Sequence, residues 1–268
     1  MKIPVALSIA GVDPSGGAGI FADIKVFSIL GVYGTGVITS ITSQNTYELN
    51  QIKYLDRKFF KKQLYTLLKD IKPDSVKIGM IANADLIDTV RQSFIEYSIK
   101  KIVLDTVMIS KQGRIIGSKK LVKKIVSELL PLADIITPNI PEASFISGIN
   151  IKNKVDILKA AEIICAKGAK NVLIKGGHLE SFWSLDFFFD GNKMRVFKNK
   201  RIKTKNTHGS GCVLSSAISS FMAKGFSPEV SVKKAIRFVN ISIKNSLDIG
   251  RGFGPVNVLI KQEVKDEN

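Results

Sequence analysis

Cysteine, histidine and tryptophan are all scarce in this sequence of 268 residues. The two cysteines, Cys165 and Cys212, can form at most one disulfide, which excludes a disulfide framework or a cluster of metal-binding thiols. The two histidines, His178 and His208, do not resemble a metal-binding pair. No apolar run approaches the ~20 residues that a membrane span needs. The N-terminal run leads into a glycine-rich loop instead of a signal-peptide cleavage site, so we expect a soluble cytoplasmic protein.

Acidic residues are few compared with basic ones. The chain has 40 lysines and arginines against 23 aspartates and glutamates, which gives a formal net charge of +17. Lysines greatly outnumber arginines and are scattered, with short clusters at 119–124 and 198–205. Nucleic-acid-binding surfaces usually concentrate arginine and interleave aromatic residues. The charge alone favours a nucleic-acid-associated protein, but this distribution makes nucleic acid an unlikely partner and favours a solvated surface that attracts small anions.

No linker or internal repeat separates the apolar segments of the chain. Short β-branched runs alternate with amphipathic stretches, which predicts a single α/β domain over residues 1–268 with a mostly parallel sheet flanked by helices. Strands are predicted at residues 3–9, 75–78, 102–104, 135–136 and 172–174, with a hairpin of 185–189 and 193–197. Helices are predicted at about 18–30, 58–69, 84–97, 119–129, 155–167, 213–224 and 228–247. Most polar motifs follow a predicted strand, where ligands bind in such sheets.

A glycine turn at residues 206–212 leads into one of the predicted helices. Glycines at 209 and 211 let the backbone approach a ligand closely, and a helix start exposes unpaired N–H groups at a positive dipole end. Gly209, Ser210, Gly211 and Cys212 could therefore form an anion hole for a transferring phosphoryl group, with Thr207 beside the nucleotide. A plain helix-capping loop explains the same pattern.

Oxygen-bearing side chains follow two neighbouring predicted strands and suggest a cation site. Asp105 ends the strand at 102–104, while Asn139 and Glu142 follow the strand at 135–136. Mg²⁺ prefers hard oxygen ligands and bridges to phosphates while keeping several waters. The alternative is that Glu142 caps a helix after Pro141 and Asp105 caps a loop. Lys175, at the end of the strand at 172–174, could reach an ATP phosphate as a point charge.

The first glycine loop, at residues 11–19, is not a P-loop because no Gly-Lys-Ser/Thr ends it. Such a loop, beginning at Gly11, could instead admit a flat substrate. Asp23 and Gln44 could then hydrogen-bond to a polar ring edge, while Met80 and Val107 supply apolar walls. Core packing is an equally ordinary explanation for the apolar side chains.

Taken together, these segments resemble the hydroxymethylpyrimidine/phosphomethylpyrimidine kinases of thiamine biosynthesis, within the ribokinase-like superfamily. The resemblance covers nearly the full chain, in eight blocks at residues 10–19 (AGVDPSGGAG), 31–33 (GVY), 42–46 (TSQNT), 76–80 (VKIGM), 137–142 (TPNIPE), 175–178 (KGGH), 206–212 (NTHGSGC) and 252–256 (GFGPV). It implies a three-layer sandwich, a homodimer, and ATP as co-substrate with Mg²⁺. The implied reaction phosphorylates 4-amino-5-hydroxymethyl-2-methylpyrimidine to its monophosphate and then to the diphosphate.

The resemblance also implies roles for individual residues. Asp23 and Gln44 match positions that hydrogen-bond the aminopyrimidine, and Met80 and Val107 match its apolar contacts. Asn139 and Glu142 match an Asn-x-x-Glu motif that acts through magnesium and its waters, and the turn at 209–212 matches the anion hole.

Two residues depart from the family pattern. Thr106 stands where the family usually has proline, a change expected to loosen the loop without moving Asp105. Ser210 stands where threonine is more usual, which matters little because backbone N–H groups do the binding.

Cys212 occupies the point where many ribokinase-like sugar kinases carry a catalytic aspartate. Two hypotheses describe it: a thiolate base whose pKa is depressed by the helix start, which the sequence favours, or a small residue that merely fits. Because some close relatives accept pyridoxal, a pyridoxal kinase on the same frame is the alternative function.

Overall fold

The computed structural model describes residues 2–108, 118–176 and 182–260. Over these ranges the strands form one sheet of nine in the order β3-β2-β1-β4-β5-β6-β7-β8-β9. The strands are β1 Val5–Val12, β2 Tyr33–Gln44, β3 Leu49–Tyr54, β4 Ser75–Ile78, β5 Ile102–Leu104, β6 Ile135–Ile136, β7 Val172–Lys175, β8 Trp183–Phe189 and β9 Met194–Lys200. The run from β2 to β7 is parallel, and β3, β8 and β9 add antiparallel strands at the two edges.

Helices cover both faces of the sheet. They are α1 Gly19–Ile29, α2 Arg57–Asp70, α3 Asp85–Glu96, α4 Lys119–Lys124, α5 Ile140–Ser147, α6 Lys154–Ala166, α7 Ser210–Ala223 and α8 Pro228–Lys244. Several of their starts follow local capping chemistry: the side chains of Asp56, Ser118 and Ser227 accept backbone N–H groups of α2, α4 and α8. No helix in the described ranges is long and apolar enough to cross a membrane.

Alternate side chains of the parallel strands enter two different core layers. Ile102 and Leu104 of β5 pack into a layer that includes residues of α2 to α6. Val103, between them, points into the layer formed with α1, α7 and α8. Strands buried on both faces in this way confirm the predicted three-layer α/β sandwich with a mostly parallel sheet.

The predicted strands at 75–78, 102–104 and 135–136 agree with β4, β5 and β6. The first predicted strand is shifted, since β1 runs from Val5 to Val12. The predicted helix at 119–129 is α-helical only to Lys124 and continues as a π-helical turn, Ile125–Leu129. Pro131 follows in a short 3-10 turn, where it offers no N–H to extend a helix.

Strand β2 was missed by sequence reasoning because it is rich in glycine, serine and threonine instead of large apolar residues. Its glycines have a packing reason that the sequence does not reveal. A Cβ on Gly36 would lie 2.6 Å from Ile20 of α1, and one on Gly34 would lie 3.0 Å from Phe27. The two glycines therefore let α1 lie close against the strand, next to the first glycine loop.

Candidate active site

The carboxyl ends of the neighbouring strands β5, β6 and β7 lie next to the start of α7. Lys175 Nζ, at the end of β7, lies 3.3 Å from Asp105 Oδ1, which follows β5. A bridge between Asn139 and Lys175 joins the loop after β6 to the end of β7. The structure thus brings together Asp105, Asn139 and Lys175, as the strand-end argument predicted.

Asp105 is a buried carboxylate with several partners. Thr137 Oγ1 donates to its Oδ1 at 3.2 Å, and Ser215 Oγ of α7 donates to its Oδ2 at 3.1 Å. Burial alone would raise the pKa of Asp105, but the positive charges of Lys175 and Lys77 outweigh it and hold this pKa below its ordinary value. Asp105 therefore stays ionised at neutral pH and anchors both Lys175 and the second turn of α7, through Ser215.

Glu142 and Asn139 form a complete capping box at the start of α5. Glu142 N donates to Asn139 Oδ1 at 2.8 Å, and Asn139 N donates back to Glu142 Oε2 at 2.9 Å. The helix-cap interpretation of Glu142 is therefore confirmed. Glu142 is only 2% exposed, and burial is the main reason that its pKa is raised above the ordinary value.

The oxygen donors at this end of the sheet determine whether magnesium fits the site. The described residues contain no cluster of three or more histidine, cysteine or carboxylate side chains that could hold an ion by themselves. Asp105 and Glu142 are nevertheless close enough for the charge of Asp105 to raise the pKa of Glu142. Both carboxylates are buried and already accept several protein donors, so they fit only an ion that keeps its waters between itself and the protein and is held chiefly by phosphates.

The predicted anion turn begins at Gly209, whose φ of +76° is a left-handed conformation that favours glycine. A Cβ there would lie 1.7 Å from the carbonyl oxygen of Gly17, so the two glycine loops touch at this point. A Cβ on Gly211 would lie 3.6 Å from Lys175 Nζ. Lys175 is thus the ammonium group beside the turn, and Ser210 opens α7.

His208 joins the same two loops through its side chain. His208 Nε2 lies 2.7 Å from Asp13 Oδ2, and Asp13 also accepts the backbone N–H groups of Ser15 and Ala18. Burial alone would raise the pKa of Asp13, but the hydrogen bonds from His208 and Ser15 outweigh it and lower this pKa. The geometry supports the predicted loop-orienting role of His208. Sequence reasoning missed Asp13, whose position inside the glycine loop was the available signal.

The structure contradicts the expected low pKa of Cys212. Burial is the main reason that the pKa of this thiol is raised to about 11. The positive charge of Lys77 acts in the opposite direction, but the negative charges of Asp105 and Asp23 oppose it. The helix start does not compensate for this loss of hydration. Cys212 is therefore a neutral thiol near pH 7, and the prediction of a thiolate is wrong for this arrangement.

Asp23 lies inside the core and has no exposed surface. Both of its oxygens accept Lys77 Nζ, at 2.8 and 2.9 Å. Ser8 Oγ and Ser216 Oγ donate to it as well, at 2.5 and 2.6 Å. The predicted contact between Asp23 and a substrate ring is inconsistent with this geometry, because three protein donors already make four hydrogen bonds to the carboxylate. Its observed role is to pair with the fully buried Lys77, which sequence reasoning did not single out.

The remaining predicted ring contacts also lie at the carboxyl ends of parallel strands. A Cβ on Gly11 would lie 2.7 Å from Met80 Cε, so these two positions are neighbours. Gln44 ends β2 and is half-buried, with Thr42 Oγ1 at 3.3 Å from its Oε1. Val107 follows Asp105 and is also half-buried. The other histidine, His178, lies outside the described residues.

A parallel sheet that carries a glycine turn at a helix start, a lysine ammonium and two buried carboxylates is the framework of an α/β small-molecule kinase. The family model described as phosphomethylpyrimidine kinase matches residues 13–257. The chain belongs to this family, as the eight sequence blocks predicted.

Individual relatives agree over almost the whole chain. A hydroxymethylpyrimidine/phosphomethylpyrimidine kinase of Staphylococcus aureus (strain MSSA476) is 41% identical, over 100% of this chain and 98% of the relative. A solved phosphomethylpyrimidine kinase from Clostridium difficile 630 is 40% identical, with a TM-score of 0.80 over 89% of this chain and 98% of its own. A solved pyridoxal kinase from Staphylococcus aureus in complex with ADP is 32% identical, with a TM-score of 0.92 over 98% of this chain and 96% of its own.

The lowered pKa of Asp13 predicts a pH-dependent contribution to stability. Asp13→Asn should reduce the free energy of unfolding at pH 7 by about 1.5–3 kcal/mol, the range for hydrogen bonds to a charged group. Because the pKa is lower in the folded state, this contribution exists above the ordinary carboxyl pKa and is lost as the pH falls through the lowered value. The deficit, measured by urea unfolding, should therefore shrink between pH 7 and pH 3. Asn at the exposed Asp70 is the control, and an equal deficit at both pH values would contradict the argument.

The raised pKa of Cys212 predicts slow alkylation at neutral pH. The rate of carbamidomethylation by iodoacetamide, followed on the Cys212 peptide by mass spectrometry, should rise about tenfold per pH unit from pH 7 to pH 10 without a plateau. The reason is that the reactive thiolate remains a minor species until the pH approaches the pKa of about 11. A plateau below pH 8 would show that the thiol is ionised after all.

Proposed function

We propose that this chain transfers the γ-phosphoryl group of ATP to the hydroxymethyl oxygen of 4-amino-5-hydroxymethyl-2-methylpyrimidine. A second turnover then phosphorylates the monophosphate to the diphosphate, in thiamine biosynthesis. The observation that carries this proposal is the meeting of Lys175, Asp105 and the glycine turn at the start of α7. Membership of the phosphomethylpyrimidine kinase family supports the choice of substrate.

The phosphate end of the site is built from Lys175 and the anion turn. Lys175 stays charged because Asp105 and Glu142 raise its pKa despite its burial, so it offers a fixed positive charge to an ATP phosphate. Thr207 and Asn139 flank this position as further ATP contacts. The backbone N–H groups of Gly209, Gly211 and Cys212 then face the charge that builds on the equatorial oxygens during transfer. Ser210 N instead donates to Thr207 O at 3.3 Å and holds the turn.

Asp105 and Glu142 are the residues that would hold a magnesium ion through its waters. Bound there, the ion would neutralise charge on the β- and γ-phosphates. Asp105 keeps Lys175 in place at the same time, and Glu142 keeps Asn139 at the start of α5.

Cys212 contributes a neutral thiol beside the hydroxymethyl group. A loose phosphoryl-transfer transition state depends more on alignment and charge stabilisation than on a strong base. The catalytic contribution of the turn at 209–212 is therefore its backbone, while the thiol of Cys212 shapes the space next to the attacking oxygen.

Gly11, Gln44, Met80 and Val107 form the proposed ring site. Gln44 supplies a half-buried amide for the polar edge of the ring, and the other three supply a flat apolar opening. Asp23 acts behind this site through Lys77, not on the ring itself. We further propose that the kinase is a cytoplasmic homodimer.

Pyridoxal phosphorylation is the second candidate function. The observation that favours it is the likeness to the solved pyridoxal kinase, which extends over 98% of this chain. The two functions share the phosphate end of the site and differ only in the ring, so the ring-binding residues decide between them.

An ATP-consumption assay tests both functions. Hydroxymethylpyrimidine, its monophosphate and pyridoxal are compared in parallel with the purified chain and MgATP. We expect turnover with the first two compounds and a higher kcat/KM for hydroxymethylpyrimidine than for pyridoxal. A higher kcat/KM for pyridoxal would establish the second function, and the absence of turnover with all three would refute both.

Gln44→Leu should impair ring binding and spare ATP binding. Losing one buried hydrogen bond to the substrate costs about 1–3 kcal/mol, so KM for the pyrimidine should rise about fivefold or more. KM for ATP, measured in the same assay, should change little. An unchanged KM for the pyrimidine would remove Gln44 from the ring site.

A further inference from the structure

The loop between β5 and the undescribed residues 109–117 has an unusual pattern of burial. Thr106 and Met108 are almost completely buried, at 2% and 1% exposure, while Val107 between them is only half-buried. Val107 N donates to Asp105 O at 2.9 Å, which makes a tight turn immediately after the strand. Val107 therefore lies at the surface of the loop, at the carboxyl end of β5, whereas the side chains of Thr106 and Met108 are buried in the protein.

One buried carboxylate holds this loop on both sides of Val107. Thr106 Oγ1 donates to Glu142 Oε2 at 3.0 Å, and Met108 N donates to Glu142 Oε1 at 3.2 Å. The capping hydrogen bond from Asn139 N completes the set of donors to Glu142. A buried carboxylate is costly to leave without a donor, so each of these bonds restrains the loop strongly.

We propose that Thr106 is a positioning residue of the ring site, whose hydroxyl bond to Glu142 fixes Val107 as an apolar wall. This inference rests on the proposed pyrimidine kinase function and deepens it, because it names the residue that sets one wall of the ring pocket. The hydroxyl is essential to the proposal: proline, the residue more usual here, could not make this bond. The expectation that threonine loosens the loop is therefore not supported, since Thr106 ties the loop to the start of α5.

The proposal predicts a defect confined to ring binding. Thr106→Val keeps the size and branching of the side chain but removes the donor. The remaining bonds from Met108 N and Asn139 N still hold Glu142, so the cap of α5 and the phosphate end of the site should persist. Val107 should then be held from one side only, by Met108. We expect ring binding to weaken by up to about tenfold, because the loop must be re-ordered on binding and that cost is bounded by the hydrogen bond that was lost.

The test measures binding of hydroxymethylpyrimidine to the full chain by isothermal titration calorimetry, without ATP or magnesium, together with both KM values. Thr106→Val should raise Kd and KM for the pyrimidine by up to about tenfold and leave KM for ATP unchanged. Thr106→Ser, which keeps the donor, should restore binding to within about threefold of wild type. Thr35→Val is the matched control. Thr35 is a buried threonine in the first half of β2, and its Oγ1 donates to Ala6 O of β1.

Two outcomes would overturn the proposal: a folded Thr106→Val variant with wild-type Kd, or equal losses in Thr106→Val and Thr106→Ser. If Thr106→Val does not fold, Thr106→Ala removes the same donor and is judged by the same criteria. A wild-type chain that neither binds nor phosphorylates the pyrimidine would refute the proposed function itself. An active wild type with an unaffected Thr106→Val variant would refute only the role of Thr106.

Discussion

Two buried carboxylates, each paired with a lysine, lie beneath the start of α7. Asp105 pairs with Lys175, and Asp23 pairs with Lys77. Removing a single member of such a pair would leave an uncompensated charge in the core, which is one of the most costly changes that a protein can suffer. The rest of the site depends on these pairs because both also bind α7. Consecutive serines of the helix donate to them, Ser215 to Asp105 and Ser216 to Asp23. The position of the anion turn relative to the sheet is thereby set from below.

The same turn is also held by contact with the first glycine loop, on the side away from the buried ion pairs. Gly209 approaches the carbonyl of Gly17 so closely that no side chain fits, and the 2.7 Å contact between His208 Nε2 and Asp13 Oδ2 spans the same gap. The turn is thus fixed on one side by buried charges and on the other by the backbone approach of Gly209 to Gly17 together with the side-chain contact of His208 with Asp13. This arrangement suits a reaction in which alignment contributes more than proton abstraction. It also explains why polar residues far apart in the chain, such as Asp13 and His208, belong to one structural unit.

Sequence reasoning was most successful where local pattern decides structure. The strands at 75–78, 102–104 and 135–136 are short apolar runs buried on both faces, and they were predicted with their observed bounds. Strand β2 was missed because its glycines make sense only once α1 packs against them. The family and the polar groups at the strand ends were also predictable. The partner of Asp23 was not, because Lys77 lies 54 residues away and nothing local indicates that the two side chains meet in the core.

Burial is the quantity that sequence reasoning could not supply, and it decides the chemistry at Cys212. A helix start by itself lowers the pKa of a thiol, whereas desolvation by the surrounding protein raises the pKa of the half-buried Cys212 to about 11. The neutral thiol has an electrostatic advantage at this position. Lys77 and Lys175 are already matched by Asp23 and Asp105, so a carboxylate at position 212 would add an unpaired negative charge close to the incoming phosphates. A thiol fills the space without adding that charge, which suits the proposed binding of ATP phosphates beside the turn.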